Sequence, residues 1–197
     1  ERIRKQVRLI RIPENRGKGF AVRIGMLNAR GNLLLFADAD GSAPIAELPR
    51  LEEALKQGAQ IAIGSRALVS PETHVKARWY RRLPGRIFNL SVNLLVLPEF
   101  ADTQCGFKLF TAKAARFLFE RQRANQFSFD IELLFMAHQV GLKVVEVPIN
   151  WQHVRGSKVS LLKDSIKMFV DIFVFKIRHR KLSPDAFRAS TTADEVK

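Results

Sequence analysis

The chain has 197 residues, of which 47% are hydrophobic and 26% charged; this excludes an intrinsically disordered protein and leaves apolar material for one domain with a sizeable core. Thirty-three Lys and Arg against 19 Asp and Glu give a net charge of +14, which points to a polyanion, an anionic membrane surface or phosphorylated substrates. The single cysteine, Cys105, excludes an internal disulfide. No Cys/His cluster has zinc spacing, and His74, His138, His153 and His179 are too scattered for a ligand role, so a reducing, cytoplasmic-side setting is expected.

No uninterrupted apolar run approaches the ~18–20 residues of a membrane span, and no signal-peptide pattern is present. The chain opens on Glu1 rather than methionine, and is read as a piece of a longer protein whose own spans stay open. Residues 7–12 alternate as a strand ending at Pro13. Asn15-Arg16-Gly17-Lys18-Gly19 then leads into a helix to about Ala29, closed by Gly31. Glycines 17 and 19 let backbone amides approach a ligand, and the helix start with Arg16 and Lys18 favours anions; a glycine turn with solvated cations is the plainer alternative.

The run Leu33-Leu34-Leu35-Phe36-Ala37 is too short for a helix and predicts a fully buried, central parallel strand. Its carboxyl end carries Asp38 and Asp40, where open α/β sheets bind ligands. Two carboxylates there repel unless a cation lies between them, and a hard divalent metal with oxygen ligands, Mg²⁺ or Mn²⁺, meets that need. A solvated strand-end turn is the alternative.

A helix follows from about Pro44 and Pro49 to Gly58, and a strand over 60–63 delivers Gly64-Ser65-Arg66 to the same sheet edge. Residues 67–76 read as a loop. From Lys76 to Arg86, cations interleave with Trp79 and Tyr80, a mixture that suits nucleic acid or a lipid headgroup layer. Residues 87–97 predict a core or interfacial helix. Asp102 opens an acidic turn into a short alternating strand, and Thr111 caps a helix to about Arg121. Residues 129–140 predict an amphipathic helix with Asp130 and Glu132 favoured by the dipole in its first turn. A strand over 143–151 precedes Arg155-Gly156-Ser157-Lys158. The helix over 159–177 is apolar around most of its circumference with one polar stripe, followed by Lys176, Arg178, Arg180 and Lys181, and suits the membrane interface. Residues 183–197 read as a disordered tail.

Taken in order, Asn15-Arg16-Gly17-Lys18-Gly19, Asp38-Ala39-Asp40-Gly41, Gly64-Ser65-Arg66, the block Asp102-Thr103-Gln104-Cys105-Gly106-Phe107-Lys108-Leu109-Phe110 and Gly156-Ser157-Lys158 resemble the family-2 inverting glycosyltransferases of the GT-A fold. Within them the chain is most similar to polyprenyl-phosphate sugar transferases, and the long block to dolichyl-phosphate β-glucosyltransferases. The resemblance covers about residues 8–180. The family's opening strand with its Pro-x-Tyr-Asn-Glu-like turn and its acidic uracil-side motif do not occur, so the chain looks like the C-terminal majority of such an enzyme.

The resemblance implies an α/β fold with a Rossmann-like mixed sheet flanked by helices, N-terminally truncated: a GT-A domain over 1–158, an interfacial helix over 159–182 and a tail over 183–197. It implies transfer of a sugar, glucose from UDP-glucose before mannose from GDP-mannose, to a polyprenyl phosphate at the cytoplasmic face of a membrane, peripherally or through an anchor outside this chain. Asp38 and Asp40 would bind Mg²⁺ or Mn²⁺, with Asp40 the more direct ligand. Asn15, Lys18, Asp38, Arg82, Arg155, Ser157 and Lys158 would contact the donor or the phosphates. Arg66 and Asp102 would be catalytic, Asp102 orienting the site and acting as a base only in second place. Two rival classes remain. A basic nucleic-acid module explains the charge but not the strand-end aspartates, so no nucleic-acid partner is expected; a glycan synthase of the same family would carry a Gln-x-x-Arg-Trp-type motif, which is absent.

Overall fold

The structure, a computed structural model, describes residues 7–76, 99–152, 154 and 161–194. The stretch 77–98, with its expected cation and aromatic cluster and helix, lies outside the described residues, as do Arg82, Arg155, Ser157 and Lys158. Helix α1 (Lys18–Asn28) is followed by β1 (Leu33–Ala37), a 3-10 turn (Ile45–Glu47), α2 (Leu48–Lys56), β2 (Ile61–Ser65) and β3 (Val75–Lys76). After them come β4 (Phe107–Thr111), α3 (Ala112–Arg121), α4 (Phe129–Gln139), β5 (Val144–Pro148), β6 (Trp151–Gln152), α5 (Leu161–Arg178) and α6 (Pro184–Asp194).

The expected mixed sheet flanked by helices is present. Its order is β1-β4-β2-β5, with β3 and β6 forming a separate parallel pair. β4 runs antiparallel to both β1 and β2, and β5 runs parallel to β2. Three strands therefore end, and β4 begins, at one rim. β1 is thus neither central nor in a parallel pair: among the described residues its one strand neighbour is the antiparallel β4. Its two faces are unequally buried, with Leu34 and Phe36 inside on one, and on the other Leu35 packed partly against the second core while Leu33 is 43% exposed, because alternate side chains of a strand point to opposite faces.

Each face of the sheet carries a core. Leu34, Phe36, Ile61, Ile63 and Phe110 pack with residues of α3 and α4, whereas Ala62, Phe107, Leu109 and Val147 pack against Leu51 and Ala54 of α2. Thr111 caps α3 by accepting from the Ala114 amide at 3.3 Å. α4 is not amphipathic: every residue from Phe129 to Ala137 is buried, including Asp130 and Glu132. Such a helix is apolar around its circumference because neighbours surround it.

Residues 7–12 do not form a strand; Val7 and Leu9 are 68% and 88% exposed, since alternation yields a strand only where a neighbour supplies the ladder. Gly31 does not close α1. The chain leaves at Ala29 in an extended conformation, so no left-handed residue is needed. Residues 184–194, expected to be disordered, form α6, whose Phe187 meets the Phe117 ring edge to face at 5.1 Å. That aromatic anchor on α3 explains why a mostly polar segment stays on the domain. α5 buries Ile172 and Phe175 against the core and leaves Val170, Phe173, Val174 and Ile177 exposed.

Candidate active site

The rim where β1 and β2 end carries the sequence-selected aspartates and Arg66. Asp38 follows β1, and its backbone amide donates to the Gly106 carbonyl at 2.8 Å. Its carboxylate lies directly against the Cα of Gly106, in the space that a Cβ there would occupy. Lys18, the first residue of α1, reaches the Asp38 Oδ1 with its Nζ at 2.8 Å, both side chains being about one-third exposed. Asp40 Oδ1 accepts from the Ser42 amide at 2.9 Å; Oδ2 has no partner among the described residues. Asn15 lies one turn earlier, its Oδ1 accepting from the Gly17 amide at 3.1 Å.

Gly17 and Gly19 have a packing role. Gly17 has φ +103°, and a Cβ there would strike the Asn125 carbonyl, while one on Gly19 would lie 2.6 Å from the Ala124 carbonyl. Both therefore admit the 122–126 loop, which accepts the Phe20 amide at Asn125 and sends the Gln122 amide nitrogen to the Gly19 carbonyl. The loop in turn hangs on Glu132, whose Oε2 accepts from the amides of Arg123 and Ala124 and whose Oε1 meets His179 Nε2 at 2.8 Å.

Asp102 stands before β4 and Arg66 directly after β2, so the reversed strand brings them to one rim. The Arg66 Nε and Nη2 donate to the two Asp102 oxygens at 2.7 and 2.8 Å, and the Arg66 amide donates at 3.0 Å. The Asp102 amide donates to Glu146 Oε1 of β5. Burial alone would raise the Asp102 carboxyl, but the charge and hydrogen bonds of Arg66 outweigh it and hold the group below the usual carboxylate range. Arg66 loses hydration on burial and is nonetheless raised by the same partner. The pair is a fixed fork, and the guanidinium also lies 5.3 Å from the Trp151 ring centroid. Its Nη1 has no partner among the described residues. Cys105 is buried, and burial followed by the nearby Asp102 charge pushes its thiol up to about 12.

Sequence reading missed a second charged layer beneath this rim. Lys108, the second residue of β4 and 1% exposed, meets Asp130 Oδ1 at 2.5 Å and the Cys105 carbonyl at 2.6 Å. Burial raises the Asp130 carboxyl above its ordinary value, with Lys108 and Lys18 opposing that rise. The available signal was parity: in Phe107-Lys108-Leu109-Phe110, Lys108 shares a face with Phe110, and a lysine on a core face needs a buried partner.

Among the described residues no group of three or more His, Cys, Asp or Glu side chains gathers as a metal cage. Asp38 and Asp40 offer two carboxylates, a set that suits Mg²⁺ or Mn²⁺, since such ions complete their shell with water and substrate phosphate.

The Glycosyl transferase family 2 model matches residues 1–119, and the chain belongs to that family. The fold is GT-A. Among individual relatives, the Drosophila melanogaster dolichyl-phosphate beta-glucosyltransferase is 41% identical over 181 residues, covering 89% of this chain and 56% of the relative. The Homo sapiens enzyme of that name is 34% identical over 180 residues, covering 88% and 56%. The chain thus spans about half the length of the curated relatives it matches. A similar solved structure is glucosyl-3-phosphoglycerate synthase from Mycobacterium tuberculosis with uridine diphosphate, TM-score 0.58 and 17% identity, covering 87% of this chain and 57% of that one. The same synthase has been crystallised with Mn²⁺ and UDP-glucose, with a TM-score of 0.54 at 16% identity and coverage of 88% and 56%.

Proposed function

We propose that the chain forms most of the catalytic domain of an inverting glucosyltransferase, moving glucose from UDP-glucose to a dolichyl-type polyprenyl phosphate. The observation that carries this reading is the convergence on one rim of paired carboxylates, Asp38 and Asp40, with an arginine held rigidly by Asp102. The names of the relatives support the sugar and the lipid acceptor.

Asp38 and Asp40 would hold a divalent ion, Mg²⁺ or Mn²⁺, which when bound neutralises charge on the departing diphosphate. Lys18, paired to Asp38, is positioned for the donor phosphates. Asn15 shapes the turn that presents Lys18. Arg66, whose Nη1 has no partner among the described residues, would offer it to a phosphate oxygen, and Arg82, Arg155, Ser157 and Lys158 are further candidates for the two phosphate groups that must approach each other. An acceptor phosphate oxygen forms the new bond to the sugar carbon as UDP leaves from the opposite face. That acceptor has a second pKa of about 6 and is mostly anionic at neutral pH, so it asks little of a base. Asp102, already neutralised by Arg66, orients the arginine instead.

The working place we infer is the cytoplasmic face of a membrane. Among the described residues no helix is long and apolar enough to cross one. The exposed apolar face of α5, with Val170, Phe173 and Ile177, is followed by Arg178, Arg180 and Lys181, a combination suited to the headgroup boundary.

The test uses the full-length parent with radiolabelled UDP-glucose or GDP-mannose and dolichyl phosphate. Labelled lipid is expected from UDP-glucose and is expected to vanish in Asp40→Ala or under EDTA. Lipid product from GDP-mannose alone overturns the sugar, full activity under EDTA overturns the metal, and no lipid product from either donor overturns the reading.

A further inference from the structure

The turn 102–106 is the hinge point of the rim: Asp102 at one end holds Arg66, and Gly106 at the other backs Asp38 and accepts its amide. Between them the Cys105 carbonyl receives the Lys108 ammonium at 2.6 Å, and that ammonium is tied to Asp130 at the start of α4. The Cys105 carbonyl belongs to the peptide plane that leads into Gly106, so fixing this oxygen fixes the surface against which the Asp38 carboxylate rests. The same Phe36 ring has Lys18 Nζ at 5.4 Å and Lys108 Nζ at 6.0 Å from its centroid. The exposed pair Lys18–Asp38 thus stands over the buried pair Lys108–Asp130.

A buried ion pair is poorly explained as a source of stability, because desolvation of both charges offsets their attraction and apolar replacements of similar volume are often neutral or better. Lys108 and Asp130, 1% and 3% exposed, occupy positions where Leu or Met would fill the core. What an apolar residue cannot do is donate to the Cys105 carbonyl.

We infer that Lys108, anchored by Asp130, is a positioning residue: it pins the 102–106 turn through the Cys105 carbonyl and so sets the Asp38 carboxylate for a divalent cation bound with the donor diphosphate. The inference rests on the metal reading of Asp38 and Asp40, and acts through ligands rather than by touching substrate. Partners that hydrogen-bond a ligand directly are worth about 10–100-fold in metal affinity; Lys108 acts one contact further out, so an effect at the low end of that range follows.

The experiment compares the full-length parent with Lys108→Met/Asp130→Leu and with Asp130→Asn. Thermal melting, binding of Mn²⁺ in the presence of UDP followed by the free-ion electron paramagnetic resonance signal, and hydrogen exchange of the Asp38 amide without metal are read for each. The double variant is expected to melt no lower than wild type yet bind Mn²⁺ about tenfold more weakly, with faster exchange at Asp38. Asp130→Asn leaves the buried ammonium without its counter-charge, so it is expected to melt below wild type and, with Lys108 less firmly anchored on the Cys105 carbonyl, to weaken Mn²⁺ binding in the same direction as the double variant but by less. Wild-type affinity and unchanged Asp38 exchange in a folded double variant overturn the inference. Should the double variant not fold, Lys108→Met/Asp130→Asn, also without a buried charge, carries the same comparison. If the wild type itself binds no Mn²⁺ with UDP, the metal reading fails separately, and a positioning role for Lys108 on Asp38 then stands or falls on the exchange of the Asp38 amide.

Discussion

Asp102→Asn keeps the shape of the side chain and removes its charge. In the wild type this carboxylate is 1% exposed and accepts from three Arg66 nitrogens between 2.7 and 3.0 Å. Removing one member of a buried pair costs about 3–5 kcal/mol. The Arg66 side chain is 32% exposed, so water takes over part of its charge and the expected loss is about 2–3 kcal/mol. For a domain of this size that corresponds to a fall in Tm of about 4–12 °C. The pH dependence follows from the depressed folded-state carboxyl. Its stabilisation is complete above the unfolded value of about 3.9 and is lost as pH falls through the folded value. The gap between wild type and variant should therefore hold from about pH 5 upward and close in stronger acid. Circular dichroism melts across that range measure it, and Asp102→Asn/Arg66→Met should recover much of the loss by removing the orphaned charge. An unchanged Tm at neutral pH, or a gap that widens on acidification, refutes the reasoning.

Gly106→Ala should separate stability from ligand binding. Its Cβ meets the end of the Asp38 side chain rather than backbone, so the carboxylate can move aside: Tm should change little while Mn²⁺ affinity, measured with UDP, falls about tenfold or more. Phe173→Glu with Ile177→Glu alters two residues that are 57% and 68% exposed; flotation with phosphatidylserine vesicles should be lost without loss of helicity, and undiminished flotation would assign binding to another surface. Gly17→Ala, at φ +103° against the Asn125 carbonyl, should destabilise by about 1–3 kcal/mol, read by urea unfolding. Cys105 is buried and its thiol lies near 12, so iodoacetamide should label it only after unfolding; rapid labelling of the native protein would contradict that.

Legibility differed by the kind of signal. The strand ahead of Asp38 is legible because a short apolar run is a local pattern, and β1 begins at Leu33 as read, whereas α1 begins at Lys18, inside the glycine motif rather than after it. The direction of β4 was not readable, since pairing of Ala37 with Phe107 depends on distant sequence. That one missing fact made β1 look central and parallel. Asp102 and Arg66 were each selected from motifs, but their bidentate union follows only from the reversed strand. Asp130 and Glu132 do lie in the first helical turn, where the dipole favours acids; that they are buried is signalled by the apolar residues flanking them on every side in Phe129-Asp130-Ile131-Glu132-Leu133-Leu134. The tail was misread because one aromatic, Phe187, outweighs the polar residues around it once Phe117 is in reach.

The reversed strand also constrains the order in which the rim can come into being. Among the described strands, β1 can pair with β4 only when Phe107–Thr111 has emerged, and β2 with its parallel neighbour only when Val144–Pro148 has followed. Closing such long loops costs entropy before any ladder bond repays it, which slows folding relative to a chain of local contacts. During synthesis Leu34, Phe36, Ile61 and Ile63 must therefore wait for the β4 residues they pair with, a window in which strand edges invite intermolecular association. Asp38 and Arg66 leave the ribosome before Asp102 but become parts of one rim only after the turn 102–106 has been made and β4 inserted between their strands.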